Sequence, residues 1–554
     1  MFPVICGLSV ATRARGHSVC SSWGSAALHP RLYAIARYRW LVLSHLENEL
    51  MPLVDSTRTN RAELLNFGIY GLPPFMVSLF FYLLSPNDIL WIQFTLAVLL
   101  LQIPWTTYLK WKKRADEKLP VFALISLMYW VYYAVALFWG ARTPSGVDTP
   151  FEQILPQESI TWSLALAVIG VSAIWLGMKI GVAKNLVPNK LPELKPGLGS
   201  THFLRLLLLV GTLLSSSESF PYVAGEGGRQ VLTIIISTVP ILAFAILFRN
   251  VVVGKAEPID KIFVLGFLAL RLVIGLSSGW LGSFASIIVI CAAIYLSERK
   301  KVPRLVLLLV VIFTLFFQVS KQEFRRAYWT NETQTSKVDR VRFWTETSLG
   351  MWQEALSDPS GEALAKAINS SLSRVSLLTQ TANVVDLTPS IVPYQGTHLY
   401  SYLVVTWVPR ALWSDKPSMN EANQFYQLAY GLNTEEGLES VSIGVGVMTE
   451  SYISFGLYGV VGVMFLMGVF YDVYGRMFFS NTSGLLMTSI GIALLPQMMS
   501  IESQMAAYLG GVVQQVVFTI LLFIPMIRWK QRRSPIAFSF LPASSQPEVP
   551  SLNP

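Results

Sequence analysis

Charge is scarce in this sequence: Asp, Glu, Lys and Arg make up 14% of the 554 residues, about half the share in a soluble globular domain. The apolar residues, 53% of the chain, come in long unbroken runs rather than alternating with polar ones, so a water-soluble fold is excluded. Cysteine is scarcer still. Cys6 and Cys20 lie near the N-terminus and Cys291 inside an apolar run, which leaves no disulfide framework and no thiolate metal site. A Walker A loop, HExxH, GxSxG and any His/Cys cluster at metal-ligand spacing are all missing, so ATP-driven transport and zinc peptidase chemistry lose support. The first fifty residues carry scattered Arg and Ser but no apolar core before a small-residue cleavage site, and do not read as a secretory signal. No solenoid repeat is visible. Asn331-Glu332-Thr333 matches a glycosylation acceptor, a triplet common by chance.

What is present is a series of apolar runs of membrane-spanning length, because about 20 residues of helix cross the hydrocarbon core with every backbone group paired. They fall near 65–85, 89–109, 119–140, 160–182, 203–217, 230–248, 262–276, 280–297, 304–320, 452–472, 483–500 and 504–527. The expectation is an all-α polytopic membrane protein with about 12 transmembrane helices and one large extracytoplasmic loop. Residues 1–63 form an N-terminal extension, with Met51 the expected start, since Arg58 and Arg61 follow it just ahead of the first run. Residues 64–320 hold nine spans, 321–451 the loop, 452–527 three more spans, and 528–554 a tail.

The net charge of +9 reflects orientation rather than nucleic-acid binding. With the N-terminus in the cytoplasm, the loops carrying Lys110, Lys112, Lys113 and Arg114, then Lys184 and Lys190, then Arg249, Lys255 and Lys261, then Arg299, Lys300, Lys301 and Arg304, all fall inside. The tail with Arg528, Lys530, Arg532 and Arg533 joins them, and the acidic 141–159 loop with Asp148, Glu152 and Glu158 falls outside. Residues 321–451 then face outward, where function is expected. That segment has helix-like pieces near 338–357 and 361–385, a turn between Pro389 and Pro393, and an apolar patch, 399–408, too short to span. The patch is expected to lie on the membrane surface or to dip in where protein covers its backbone.

The loop spends Arg325, Arg326, Arg340, Arg342, Arg374, Arg410 and Lys416 on the side the positive-inside rule disfavours. Guanidinium groups grip phosphate bidentately and stay charged, which suits a lipid pyrophosphate; the alternative is that they pair with the loop's own Asp and Glu. Arg410 and Lys416 sit in Val408-Pro409-Arg410-Ala411-Leu412-Trp413-Ser414-Asp415-Lys416-Pro417, where two prolines fix the backbone around the cations. Glu450 stands just before the tenth run, at a depth that partly desolvates a carboxyl, and is read either as a base or as a helix N-terminal carboxylate favoured by the dipole. Arg271, between Leu270 and Leu272 in the seventh run, is read as functional, as paired within the bundle, or as snorkelling. His398, in Gly396-Thr397-His398-Leu399, is catalytic or structural.

From Arg374 to Gly459 the chain resembles the O-antigen and exopolysaccharide polymerase family, the Wzy-type oligosaccharide repeat-unit polymerases. The matching features are the Arg374 helix leading to Thr388-Pro389, Gly396-Thr397, Val408-Pro409-Arg410 with Trp413 and Asp415-Lys416-Pro417, and Glu450-Ser451-Tyr452 with Phe455-Gly456 and Gly459. Lys321 to Trp329, with Phe324-Arg325, is also similar. The resemblance implies a lipid-carrier-dependent, GT-C-like glycosyltransferase in the bacterial cytoplasmic membrane, with both termini cytoplasmic. It would transfer a glycan from one undecaprenyl pyrophosphate to a sugar hydroxyl on another. Such chemistry needs cations at the departing pyrophosphate and a base at the attacking hydroxyl. Arg271, Arg325, Arg326, Arg374 and Lys416, with Arg410 at the reacting bond, take the first role. Glu450, with His398 or Asp415 as substitutes, takes the second. No metal or other cofactor is called for. The implied partners are the lipid-linked glycans, membrane lipid and a chain-length regulator. A flippase for the same lipids and an O-antigen ligase are the competing readings; the loop's size argues against the first, and the Pro-Arg…Trp…Lys-Pro string against the second.

Overall fold

The structure is a computed structural model that describes residues 68–531 apart from Pro86, Ala115, 140–154, Pro196, 198–200, 217–224, 330–334, 362, 365–366, 369–375, 409–412, 414–416, 418–419 and 439–442. The N-terminal extension and the end of the tail therefore lie outside the described residues. In chain order the apolar runs become α1 (Leu72–Leu83), α2 (Trp91–Lys112), α3 (Val121–Trp139), α4 (Gln157–Lys179), α5 (Thr201–Ser216), α6 (Gly225–Val253), α7 (Pro258–Ser278), α8 (Leu281–Arg299) and α9 (Arg304–Gln318). The segment that follows supplies α10 (Lys321–Tyr328), α11 (Lys337–Ser357), α12 (Leu378–Leu387), α13 (His398–Trp407) and α14 (Glu421–Ala429). Three further helices complete the bundle, α15 (Val447–Phe478), α16 (Leu485–Met499) and α17 (Met505–Phe523).

Every expected span falls on a helix, yet not every one has the length to cross. Among the described residues seven helices are long and apolar enough, and α9 with α10, bent by 53°, make an eighth if read as one broken span. The reason is geometric: the 12 residues of α1 rise only about 18 Å against a hydrocarbon core of about 30 Å. α5 and α16 are also short, and α7 carries Asp260, Lys261 and Arg271. Leu305, Leu308, Leu309 and Ile312 on α9, Leu206, Leu209 and Leu213 on α5, and Ile262 and Leu265 on α7 are exposed. These outward apolar faces are what helices present to lipid.

The all-α expectation needs one addition. Lys190–Leu194 and Ile527–Gln531 pair as a two-stranded antiparallel sheet, β1 and β2, Lys190 opposite Gln531 and Leu194 opposite Ile527. Leu191 and Ile527 turn inward, while Glu193 meets Arg528 at 3.1 Å and Lys530 at 3.3 Å. Buried and exposed positions do not alternate in either strand, and Pro192 stands inside the first, so neither carries the pattern by which a strand is read. At the same end Lys118 Nζ donates to Ser483 O, Lys300 Nζ donates to Glu117 O and lies 3.9 Å from the Trp111 ring centroid, and Arg249 pairs with Glu298 at 2.6 Å. The basic loops thus gather at one end of the bundle.

α15 packs against α4 more extensively than any other pair of helices. Glycine permits it: a Cβ on Gly468 would strike the Ile174 carbonyl, and one on Gly177 the Phe465 carbonyl. Neither backbone can yield, so Gly468→Val is expected to separate the helices and cost about 1–3 kcal/mol or more. A lowered thermal midpoint in detergent checks this; an unchanged midpoint would mean that the pair is not closely packed.

Two departures from α-helical geometry occur at the opposite end. Residues Trp130–Val135 of α3 wind as a π-helix, which frees backbone groups, and the Tyr132 carbonyl accepts the Leu377 N–H at 3.0 Å. α15 breaks at Gly456 (φ 63°). The carbonyls of Ile453 and Ser454, just before the break, accept the N–H groups of Gln395 and Gly396 at 3.0 and 2.9 Å.

Candidate functional site

α12 is the least expected element, because a helix reading Leu-Thr-Gln-Thr-Ala-Asn-Val-Val-Asp-Leu has little apolar stripe and is nonetheless buried from Leu378 to Val384. It is inserted against α4, the π turn and α15. Burial of that many polar groups is tolerable only if they are partnered, and they are. Thr381 Oγ1 shares hydrogen bonds with the Tyr133 hydroxyl (3.0 Å) and Thr449 Oγ1 (2.7 Å). The Tyr426 hydroxyl donates to Gln380 Oε1 (2.6 Å), Asn383 Nδ2 donates to Tyr430 O (3.4 Å), and Ser159 Oγ donates to Asp386 Oδ1 (3.0 Å).

Beside Thr449 stands Glu450, 1% exposed. Its Oε2 accepts the N–H of Met505 at 2.6 Å, and its Oε1 has no hydrogen-bond partner among the described residues. Met505 is the first residue of α17, so the carboxylate satisfies one of that helix's orphan N–H groups. Glu450 also stands in the first turn of its own helix α15, where the helix-terminus reading puts it, so it serves two helix starts and one buried oxygen is left over among the described residues. Tyr400 of α13 lies beside it, donating its hydroxyl to Ser451 Oγ at 3.0 Å and stacking on Phe455.

α13 is the apolar patch that was too short to span. Its start, at Tyr400, is level with the first turn of α15, and its far end reaches down α17: Gln514 Nε2 donates to Thr406 O at 2.6 Å, and a Cβ on Gly510 would collide with Thr406. Gln514 is nine residues into α17, about 14 Å along its axis. The patch therefore dips beside α17.

A second carboxyl closes the corner. The Glu502 carbonyl accepts the Gly446 N–H at 2.9 Å, and its side chain bonds Tyr132. Burial pushes the Glu502 carboxyl above the ordinary carboxylate range; the Tyr132 hydrogen bond and the charge of Lys321 oppose the rise. A raised folded-state value means that the folded chain favours the proton. The stabilisation is complete below the ordinary carboxylate pKa and is lost as pH rises through the folded value. Glu502→Gln cannot ionise, so its thermal midpoint is expected to match the parent's in acid and to exceed it increasingly towards neutral pH. A difference independent of pH would contradict the assignment.

The remaining sequence candidates are dispersed. Arg271 lies over the Phe267 ring at 5.1 Å with its Nη2 buried and unpartnered among the described residues. Arg325 stacks on Trp329 at 4.3 Å, and Trp329 in turn donates to Ser278 O. Arg326 forms an exposed i,i+3 pair with Glu323 at 3.0 Å, and Arg342 an exposed i,i+4 pair with Glu346 at 2.8 Å, as the surface-partner reading has it. His398 is exposed and packs edge-on against Tyr402 and Phe425. Arg374, Arg410, Asp415 and Lys416 lie outside the described residues. Sequence reasoning passed over Tyr132, Tyr133, Gln380, Thr381, Tyr400 and Glu502. The one available signal was the density of polar residues in 379–383 next to a chain this apolar.

No curated protein and no solved structure matches the chain. A family model does, over residues 166–477, a stretch that begins within α4 and ends within α15 and contains Glu450 and the whole of α7 to α14. With more than half of its length matched, the chain belongs to the family described as domain of unknown function DUF8712.

Proposed function

We propose that this chain is a membrane-embedded glycosyltransferase of about 12 spans that polymerises undecaprenyl-pyrophosphate-linked oligosaccharide repeat units into O-antigen or exopolysaccharide at the outer face of the bacterial cytoplasmic membrane. The observation that carries the reading is Glu450, a buried carboxyl with one oxygen unengaged among the described residues, at a corner lined by the polar helix α12 and the dipping helix α13. The gathering of the basic loops at the opposite end supports an orientation with both termini in the cytoplasm and this corner outside.

In the proposed reaction a hydroxyl of one lipid-linked glycan attacks the anomeric carbon of another. The bond from that carbon to the pyrophosphate oxygen breaks, and the electron pair leaves with the pyrophosphate. Glu450 Oε1 takes the hydroxyl proton. Lys321, whose charge already acts on Glu502, joins Arg271, Arg325, Arg374, Arg410 and Lys416 as a candidate for the departing charge.

The test is the purified full chain in lipid vesicles supplied with a lipid-linked repeat unit, with product length read on a gel. A ladder of multimers is expected, shortened or lost in Arg374→Ala and Arg410→Ala. Full activity of both variants would remove those arginines from the pyrophosphate role. Movement of the lipid-linked unit across the vesicle without a ladder would replace the polymerase by a flippase.

A further inference from the structure

Next to the Glu450 corner, and sharing α12 and α15 with it, is an open groove of about 430 Å³, within the range of small-molecule sites. Glu158, Ser159 and Trp162 from the start of α4 form one wall. Asp386 from the end of α12, Tyr394, and Tyr452 from the first turns of α15 form the other. Trp162 is 49% and Tyr394 46% exposed, so two large aromatic faces stand in the opening. Tyr394 and Tyr452 hold each other by a hydrogen bond and an edge contact, and the Tyr394 hydroxyl lies against Gly456, where a Cβ would come within 2.8 Å of it. The break in α15 thus makes room for one wall of the groove. Asp386 is held by Ser159, and neither it nor Glu158 forms an ion pair among the described residues.

Aromatic faces pack on the C–H faces of sugar rings, and carboxylates accept hydrogen bonds from sugar hydroxyls. Among the described residues the lining has two carboxylates and no Lys or Arg, a charge that repels phosphate and uronate. We infer that this groove is a glycan subsite that takes neutral or amino sugars and rejects acidic ones. As the subsite for the repeat unit's sugars it rests on the polymerase reading, the pyrophosphate being held elsewhere, at the cations. As a sugar site it is testable without catalysis.

The full chain, purified in a detergent with no sugar headgroup, is probed by saturation-transfer NMR with three soluble trimers: maltotriose, a glucosamine trimer and a galacturonate trimer. Saturation is expected for the first two and at least about tenfold less for the third. Trp162→Ala is expected to weaken the maltotriose signal about two- to tenfold. The double variant Glu158→Gln, Asp386→Asn is expected to raise the galacturonate signal to that of maltotriose. Tyr458→Ala, which removes an aromatic 89% exposed and outside the groove, is expected to change nothing. Equal signals from acidic and neutral trimers, no signal from any, or indifference to Trp162→Ala would overturn the proposal. Displacement of the glucosamine trimer by phosphatidylethanolamine, with maltotriose silent, would do so too, by assigning the groove to a lipid amine. Sugar binding without a ladder in vesicles would leave the groove and remove the polymerase. A ladder indifferent to Trp162→Ala, with no sugar binding, would do the reverse.

Discussion

Glu450→Gln is expected to reduce the vesicle product ladder by about 10²- to 10⁴-fold, the usual loss when a general base is removed, while leaving the thermal midpoint unchanged or raised. The two readouts separate the roles that the geometry allows. A glutamine side-chain carbonyl can still accept the Met505 N–H, so the cap on α17 survives, and no charge is then left in a buried position. Glu450→Ala, by contrast, also strips the cap and is expected to cost about 1 kcal/mol of stability in addition to activity. A glutamine variant that still builds long chains would mean that Glu450 is a structural cap and that the proton goes elsewhere.

The second large effect belongs to the dipping helix. Gly510 is a point of close approach between α13 and α17, and any side chain there meets Thr406. Gly510→Ala is therefore expected to push α13 outward, to loosen the Gln514–Thr406 hydrogen bond, and to cost about 1–3 kcal/mol. Because α13 also carries Tyr400 to the Glu450 corner, activity should fall with stability. Thr406→Gly removes the atoms that the new methyl group strikes, so the double variant Gly510→Ala, Thr406→Gly is expected to recover most of both losses. Thermal midpoints and ladders of the two single variants and the double variant form a cycle whose interaction energy reports the contact directly. Additive losses would mean that the two residues do not meet.

The placement of individual residues explains which features were readable in advance. Apolar runs reveal helices because the unpaired backbone is intolerable in hydrocarbon, and each expected span accordingly falls on a helix. Apolarity does not measure how much of a run is wound as one straight helix, so α1, α5 and α16 came out shorter than a membrane. Gly396 and Gly456, noticed only as parts of a motif, belong together: the break at Gly456 leaves the Ile453 and Ser454 carbonyls for Gln395 and Gly396. No local pattern encodes that pairing.

From its sequence alone this protein is a helical chain with membrane-length apolar segments, basic short loops, and a carboxyl at the edge of one apolar run. These are one-dimensional properties, set by transfer free energies summed along the chain. Only the tertiary structure decided that Glu450 would bond to the start of α17, that Tyr132 and Tyr133 would project from a π turn, and that a helix as polar as α12 would be buried. Those outcomes depend on which polar groups can find partners in space: Thr381 meets Tyr133 across 248 residues and Thr449 across 68. A buried polar group is stable only where such a partner waits, and that condition is met by the packing of the bundle rather than by neighbours in sequence.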